Sequence, residues 1–203
     1  MLFASMFMFT VLSAPPASAG DYTLTIDGSD FDLDLNAPQQ LRLPDGSTIQ
    51  VTLSQKAVVS FSSESFSFAH PSHLSPARTD LGQGIYQTMM ATPLGTLIMV
   101  QEYTTLDPSS LVDLMLSELT KEERQYGYTI NETLHSRTLK GGQVLSGKRA
   151  VSNYRGVGYT REIVSFGTRD AGLMVITQTS QESSPEDLAM IEAFWESMAV
   201  SLR

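Results

Sequence analysis

The sequence has 203 residues, a formal net charge of −9 and no cysteine. That length holds one domain with a real core, or a domain with an extension. The lack of cysteine excludes a disulfide scaffold, a thiolate metal site, a cysteine nucleophile and a thiol-linked lipid anchor, and the acidity argues against nucleic-acid binding, which rests on cationic contacts to phosphate.

The chain opens with an uncharged stretch. Leu2 to Ala14 is almost wholly apolar, and Pro15-Pro16 and Ala17-Ser18-Ala19 follow. A short apolar core, a helix-breaking pair and a small-x-small site predict a signal peptide over residues 1–19, cleaved after Ala19. The absence of Lys or Arg before the apolar run is a departure from that pattern. The run is shorter than the roughly 20 residues a membrane-spanning helix needs. No later segment is long and apolar enough either, so no membrane span is expected after cleavage and the protein is expected to be periplasmic or secreted.

Residues 20–57 read as an N-terminal β extension. Tyr22, Leu24 and Ile26 alternate with Thr23 and Thr25, and Asp27-Gly28 turns the chain into Phe31, Leu33 and Leu35, which alternate with Asp30, Asp32 and Asp34. Asp-Gly between alternating runs is a hairpin signal because the turn needs positive φ. A second turn, Pro44-Asp45-Gly46-Ser47, leads into Ile49, Val51 and Leu53.

Residues 58–203 form the main domain in this reading. Strands are expected at 58–62, 65–69, 84–92 and 95–103. Asp107-Pro108-Ser109 then announces a helix, with Asp107 as N-cap, Leu111, Leu114, Met115 and Leu119 at helical spacing, and Gly127 to end it. Four longer strands follow at 128–140, 143–154, 157–167 and 171–179. The last helix starts at Ser184-Pro185, with Ser184 as cap and Asp187 returning the capping interaction; Ile191, Phe194, Trp195 and Met198 form its apolar stripe, which places the one Trp in the core. Strands joined by such short turns must be antiparallel. The expected class is α+β, an antiparallel β-sheet with helices packed on it.

Phe66-Ser67-Phe68-Ala69-His70-Pro71, a strand pair ending near Glu102-Tyr103, the capped helix, the meander and a closing Phe194-Trp195-Glu196-Ser197-Met198 resemble the element order of the PsbP-like, or Mog/PsbP, family over residues 58–200. The resemblance implies a PsbP-like α/β sandwich with the N-terminal β-hairpin unit added. It implies an accessory or binding role, as in photosystem accessory proteins and a Ran-binding protein, and it carries over no catalytic residue.

Several motifs invite chemistry. Gly142 to Lys148 fits G-x-x-x-x-G-K, yet Arg149 stands where a phosphate loop needs Ser or Thr, and a strand follows where a helix should open. Asp27, Asp30, Asp32 and Asp34 suggest a calcium loop, but Leu35 and Leu41 occupy the places of its glycine and bidentate Glu; the aspartates read as the wet side of a strand. His70 and His73, with Asp80, are the one conceivable metal or hydrolytic set, and Pro71 between them breaks the helix that would align them. Asn131-Glu132-Thr133 is a glycosylation sequon, relevant to a eukaryotic chain alone. No catalytic residue, metal site or cofactor is therefore expected.

Residues 137–169 carry Arg137, Lys140, Lys148, Arg149, Arg155, Arg161 and Arg169 against Glu162 alone, a basic segment of +6 in a protein of −9. Two readings stand open: neutralisation by acidic helices, or a docking surface of Lys148, Arg149, Arg155 and Arg161 for an acidic protein partner. The function expected from the whole sequence is that of an exported, non-enzymatic accessory or protein-interaction domain. A periplasmic hydrolase using His70 or His73, and a protein binding a small apolar ligand between sheet and helix, are the alternatives.

Overall fold

Asp27 and Gly28 both adopt positive φ, 48° and 80°, the geometry a two-residue hairpin turn demands. They join β1 (Tyr22–Ile26) to β2 (Ser29–Leu33) in an antiparallel ladder with Leu24 opposite Phe31. The computed structural model describes residues 22–202, in two units that divide between Gln55 and Lys56. The predicted signal peptide and its cleavage point lie outside the described residues.

In the first unit, β3 (Pro38–Arg42) pairs antiparallel with β4 (Thr48–Thr52). Their turn is held by Asp45, whose Oδ1 accepts from the backbone N–H and hydroxyl of Ser47 at 2.8 and 2.6 Å; these bonds hold the Asp45 carboxyl below the usual carboxylate range. A parallel bridge between Leu35 and Leu53 ties the two hairpins together. The sequence reading lacks β3 because Leu41 is its one large apolar residue and no alternation marks it.

The second unit runs β5 (Val58–Ser62), β6 (Phe66–Pro71), β7 (Ala77–Gly82), β8 (Ile85–Ala91), β9 (Leu97–Tyr103), a 3-10 turn (Pro108–Leu111), α1 (Val112–Gln125), β10 (Thr129–Thr138), β11 (Val144–Tyr154), β12 (Val157–Gly167), β13 (Gly172–Ser180), α2 (Pro185–Ser197) and the two-residue β14 (Ala199–Val200). A seven-stranded antiparallel sheet has the order β10-β11-β12-β13-β9-β8-β7, and β14, β6 and β5 form a smaller sheet. With 53% strand and two α-helices among the described residues, the fold is sheet-rich, further toward β than the expected balance of strand and helix.

Alternation along β11 and β12 sends Leu145 and Val164 to one face of the large sheet, and Ala150 and Ile163 to the other. The first face is buried under α2 and β6, through Phe66, Phe68, Met190, Phe194 and Met198. The second is buried under α1, where Val112 and Leu116 meet Ala150, Ile163, Met174 and Ile176. Trp195 lies in the first core, 8% exposed, as its place in the apolar stripe predicts.

Three local expectations need correction. The helix after Asp107 starts as a 3-10 turn, with Asp107 Oδ1 accepting from Ser109 N at 2.9 Å, and this phase turns Leu114 outward, 59% exposed. Ser184 does cap α2, accepting from Asp187 N at 3.1 Å. The Asp187 carboxylate, however, accepts from Thr92 Oγ1 at 2.9 Å and Thr96 Oγ1 at 3.1 Å, and so pins the start of α2 to the β8–β9 turn. Finally, β7 escapes the sequence reading because all six of its residues are exposed and it has no apolar period.

Candidate functional site

Three of the seven cations of the basic segment, Arg137, Lys148 and Arg161, have ion-pair partners among the described residues. Arg161, 6% exposed, donates from Nη1 and Nη2 to Glu123 of α1 at 2.8 and 2.7 Å and from Nε to Gln178 at 2.7 Å, while its guanidinium lies 5.0 Å from the centre of the Tyr159 ring. Lys148 sits on the same face, its Nζ 2.7 Å from Asp113 and 3.2 Å from Glu132. Hydrogen bonds to Asp113 first, and then to Glu132, raise the Lys148 pKa above its ordinary value.

Arg149 points to the opposite face, opposite Glu162 in register, and is exposed with no ion pair among the described residues. Glu162 is occupied by Arg137, which donates to it twice at 2.8 Å and lies 5.2 Å from the centre of the Trp195 ring, and His135 Nε2 is 3.4 Å from the same carboxylate. Arg155 occupies the β11–β12 turn with φ 52°, stacked on Tyr154 at 5.0 Å. The structure therefore does not bring Lys148, Arg149, Arg155 and Arg161 onto one surface. Strand alternation divides them between two faces and a turn, and α1 supplies the acids for two of them.

What the fold does assemble is a margin. An open cleft of about 820 Å³ lies between the 3-10 turn with the start of α1 and strands β10 and β11, lined by Ser109, Asp113, Leu134, Ser136, Ser146 and Lys148. Leu134, directly opposite Lys148 in the β10–β11 ladder, is 88% exposed. β10 is the outermost strand of the large sheet, so alternate residues turn their N–H and C=O groups outward with no strand to receive them among the described residues. Sequence reasoning passed over Leu134 because it looks like an ordinary alternating strand residue. The clue that it stands in the open is the position of β10 at the sheet edge, which strand order alone reveals.

A second cleft of about 540 Å³ contains a charged group the sequence does not advertise. Glu102, 3% exposed, accepts from Arg78 Nε and Nη2 at 3.2 and 2.9 Å and from the Ser63 hydroxyl at 2.9 Å, and Arg78 stacks on Tyr86 at 4.5 Å. The arrangement ties the β5–β6 turn, β7 and β9 together. At the far end of α1, Tyr126, Tyr128 and Tyr159 line a third cleft of about 760 Å³.

The remaining motifs find ordinary places. His70 is buried beside Phe68 with Nδ1 2.9 Å from the Pro71 carbonyl oxygen. Neither it nor His73 lines any of these three clefts. Among the described residues no group of three or more His, Asp or Glu is arranged to hold a metal ion. Asp30 and Asp32 accept from Thr25 and Thr23 across the hairpin at 2.6 and 3.5 Å. Gly142, with φ 85°, makes the β10–β11 turn, and Gly147 lies inside β11, where a Cβ would collide with the Ile163 carbonyl oxygen. Both glycines of the phosphate-loop-like run thus answer to the sheet. No helix of the described residues is long and apolar enough to cross a membrane.

No family model and no curated protein matches this chain. Among solved structures it is similar to a protein from Bacteroides thetaiotaomicron VPI-5482, with a TM-score of 0.34 and 12% sequence identity over 68% of this chain; the match spans 46% of that protein.

Proposed function

We propose that this chain is an exported accessory domain that acts by docking another protein and has no chemistry of its own, its larger unit following the PsbP-like sandwich plan. The observation that carries the reading is the β10 margin: a ten-residue edge strand whose outer side meets no strand among the described residues, a central exposed leucine, and a charged, serine-lined cleft beside it. An exposed edge adds a strand from a partner through main-chain hydrogen bonds, and side-chain pockets along it supply the choice of partner. Arg149, exposed and without an ion pair among the described residues, lies one strand in from that edge and favours an acidic group on the partner. The element order over residues 58–200 supports the PsbP-like plan, and the apolar run before Ala17-Ser18-Ala19 supports export.

The test is affinity capture with the full chain, tagged at its C-terminus and expressed in its native host, at low and high salt. A partner retained at low salt, released at high salt and lost from Leu134→Asp and Arg149→Glu is the expected result. Identical captured proteins from the wild type and both variants would overturn it. N-terminal sequencing of the exported fraction should read from Gly20; a chain that keeps residues 1–19 removes the export part of the proposal.

A further inference from the structure

We propose that the partner docked at β10 is a second copy of this chain, paired antiparallel through its own β10 with Leu134 opposite Leu134. This rests on the edge-strand part of the docking reading above, not on its acidic contact at Arg149, and gives the partner an identity.

The two edges of the large sheet differ. β7 is six residues long and breaks register between Asp80 and Gly82, and a short, irregular strand is one way natural sheets blunt an edge. β10 has ten residues, pairs with β11 without a register break, contains no proline, and puts Leu134, 88% exposed, in its middle. An edge of that kind is a template for another strand.

Its sequence also fits itself. In an antiparallel pair each face of the sheet stays continuous, so a two-fold axis through the joint must pass through one residue position. Centring on Leu134 sets Leu134 against Leu134, Glu132 against Ser136, Asn131 against Arg137, Thr133 against His135 and Ile130 against Thr138. No like charges oppose each other, and the exposed leucines cover one another. Centring on Glu132 opposes two carboxylates, centring on Thr133 sets Glu132 against Leu134, and centring on His135 opposes two imidazoles and leaves Leu134 against serine. Like charges directly opposite destabilise a ladder, and apolar pairs support it, so the register on Leu134 is favoured.

The chain has no cysteine, which makes the register directly readable. Directly opposed residues of an antiparallel pair have Cα atoms about 4.5–5.5 Å apart, inside the span a disulfide bridges. Leu134→Cys in the full chain should therefore form a covalent dimer on mild oxidation. Thr129→Cys should not, because its two copies would stand about 34 Å apart along the strands. Glu132→Cys and Ser136→Cys should each stay uncrosslinked alone and crosslink when mixed. Light scattering after size exclusion should give twice the chain mass for the wild type and a single chain mass for Leu134→Asp, with an unchanged circular dichroism spectrum because that side chain is already in solvent.

A wild type of single-chain mass at every concentration tested overturns the inference, as does a dimer that Leu134→Asp leaves intact or crosslinking that follows another register. If the chain stays monomeric while Leu134→Asp still abolishes capture of a different protein, the docking reading stands and the self-pairing falls. If neither mass nor capture depends on Leu134, both fall.

Discussion

Arg161 and Glu123 meet in a two-point ion pair, at 2.8 and 2.7 Å, that clamps α1 onto β12. The pair removes Arg161 from any docking role and makes it a stability residue. Breaking one side of a buried pair leaves the other charge without a partner, at a cost of about 3 kcal/mol or more. Arg161→Met should lower the unfolding free energy by about that amount in urea titrations, and Arg161→Met/Glu123→Leu should recover most of it. A loss below about 1 kcal/mol, the range of exposed pairs, would show that the clamp is solvated.

Tyr103 gives the protein an alkaline limit. Burial pushes its hydroxyl above the ordinary tyrosine value of 10.0, and the hydroxyl donates to Gln101 Oε1 at 2.6 Å. In the unfolded chain the group ionises first, so the folded state holds the extra proton and stability falls as pH rises past 10; below that value this group contributes no slope. Tyr103 should ionise late in an ultraviolet titration, and Tyr103→Phe should remove that late step and flatten the alkaline fall in stability. A titration unchanged by Tyr103→Phe would count against this.

The two glycines of the phosphate-loop-like run should separate cleanly. Gly147→Ala drives a Cβ into the backbone of β12, and overpacking of that kind costs about 2 kcal/mol or more. Gly142 has open space around it, so Gly142→Ala meets only the strain of positive φ, about 1–2 kcal/mol. Equal melting shifts for the two variants would contradict the close approach at Gly147.

Asp187 should matter more than the cap that precedes it. Ser184→Ala removes one capping bond, about 1 kcal/mol. Asp187→Ala removes two hydrogen bonds to a charged acceptor, about 2 kcal/mol or more. A double-mutant cycle between Asp187→Ala and Thr96→Val should give clear coupling; strict additivity would return Asp187 to a purely local capping role.

Much of the fold was legible because its residues follow local rules. Asp107 and Ser184 cap where their spacing to Pro108 and Pro185 says they must. The meander from β10 to β13 could be read from alternation broken by Gly141-Gly142, Arg155-Gly156 and Ala171-Gly172. β3 and β7 stayed hidden because a strand with little buried apolar surface has no period to display. The site was less legible still. Whether Arg161 is free or clamped depends on Glu123, 38 positions away and on another element. The exposure of Leu134 depends on which strand ends up outermost, a property of sheet order that no residue of β10 encodes by itself.

The smaller sheet has a consequence for the chain as it is made. β6 takes β14 as its neighbour, Ala69 N donates to Ser197 Oγ at 2.8 Å across 128 positions, and Ser201 N donates to the Ser65 carbonyl oxygen at 2.8 Å. The first strands of the larger unit thus wait for its last residues. Contacts that distant in sequence slow folding, because a long loop must close before they form. A nascent chain stopped anywhere before Phe194 leaves Phe66 and Phe68 without the Phe194 and Met198 that cover them. Emergence of α2 and β14, and not of the large sheet alone, is then the event that releases the unit to fold.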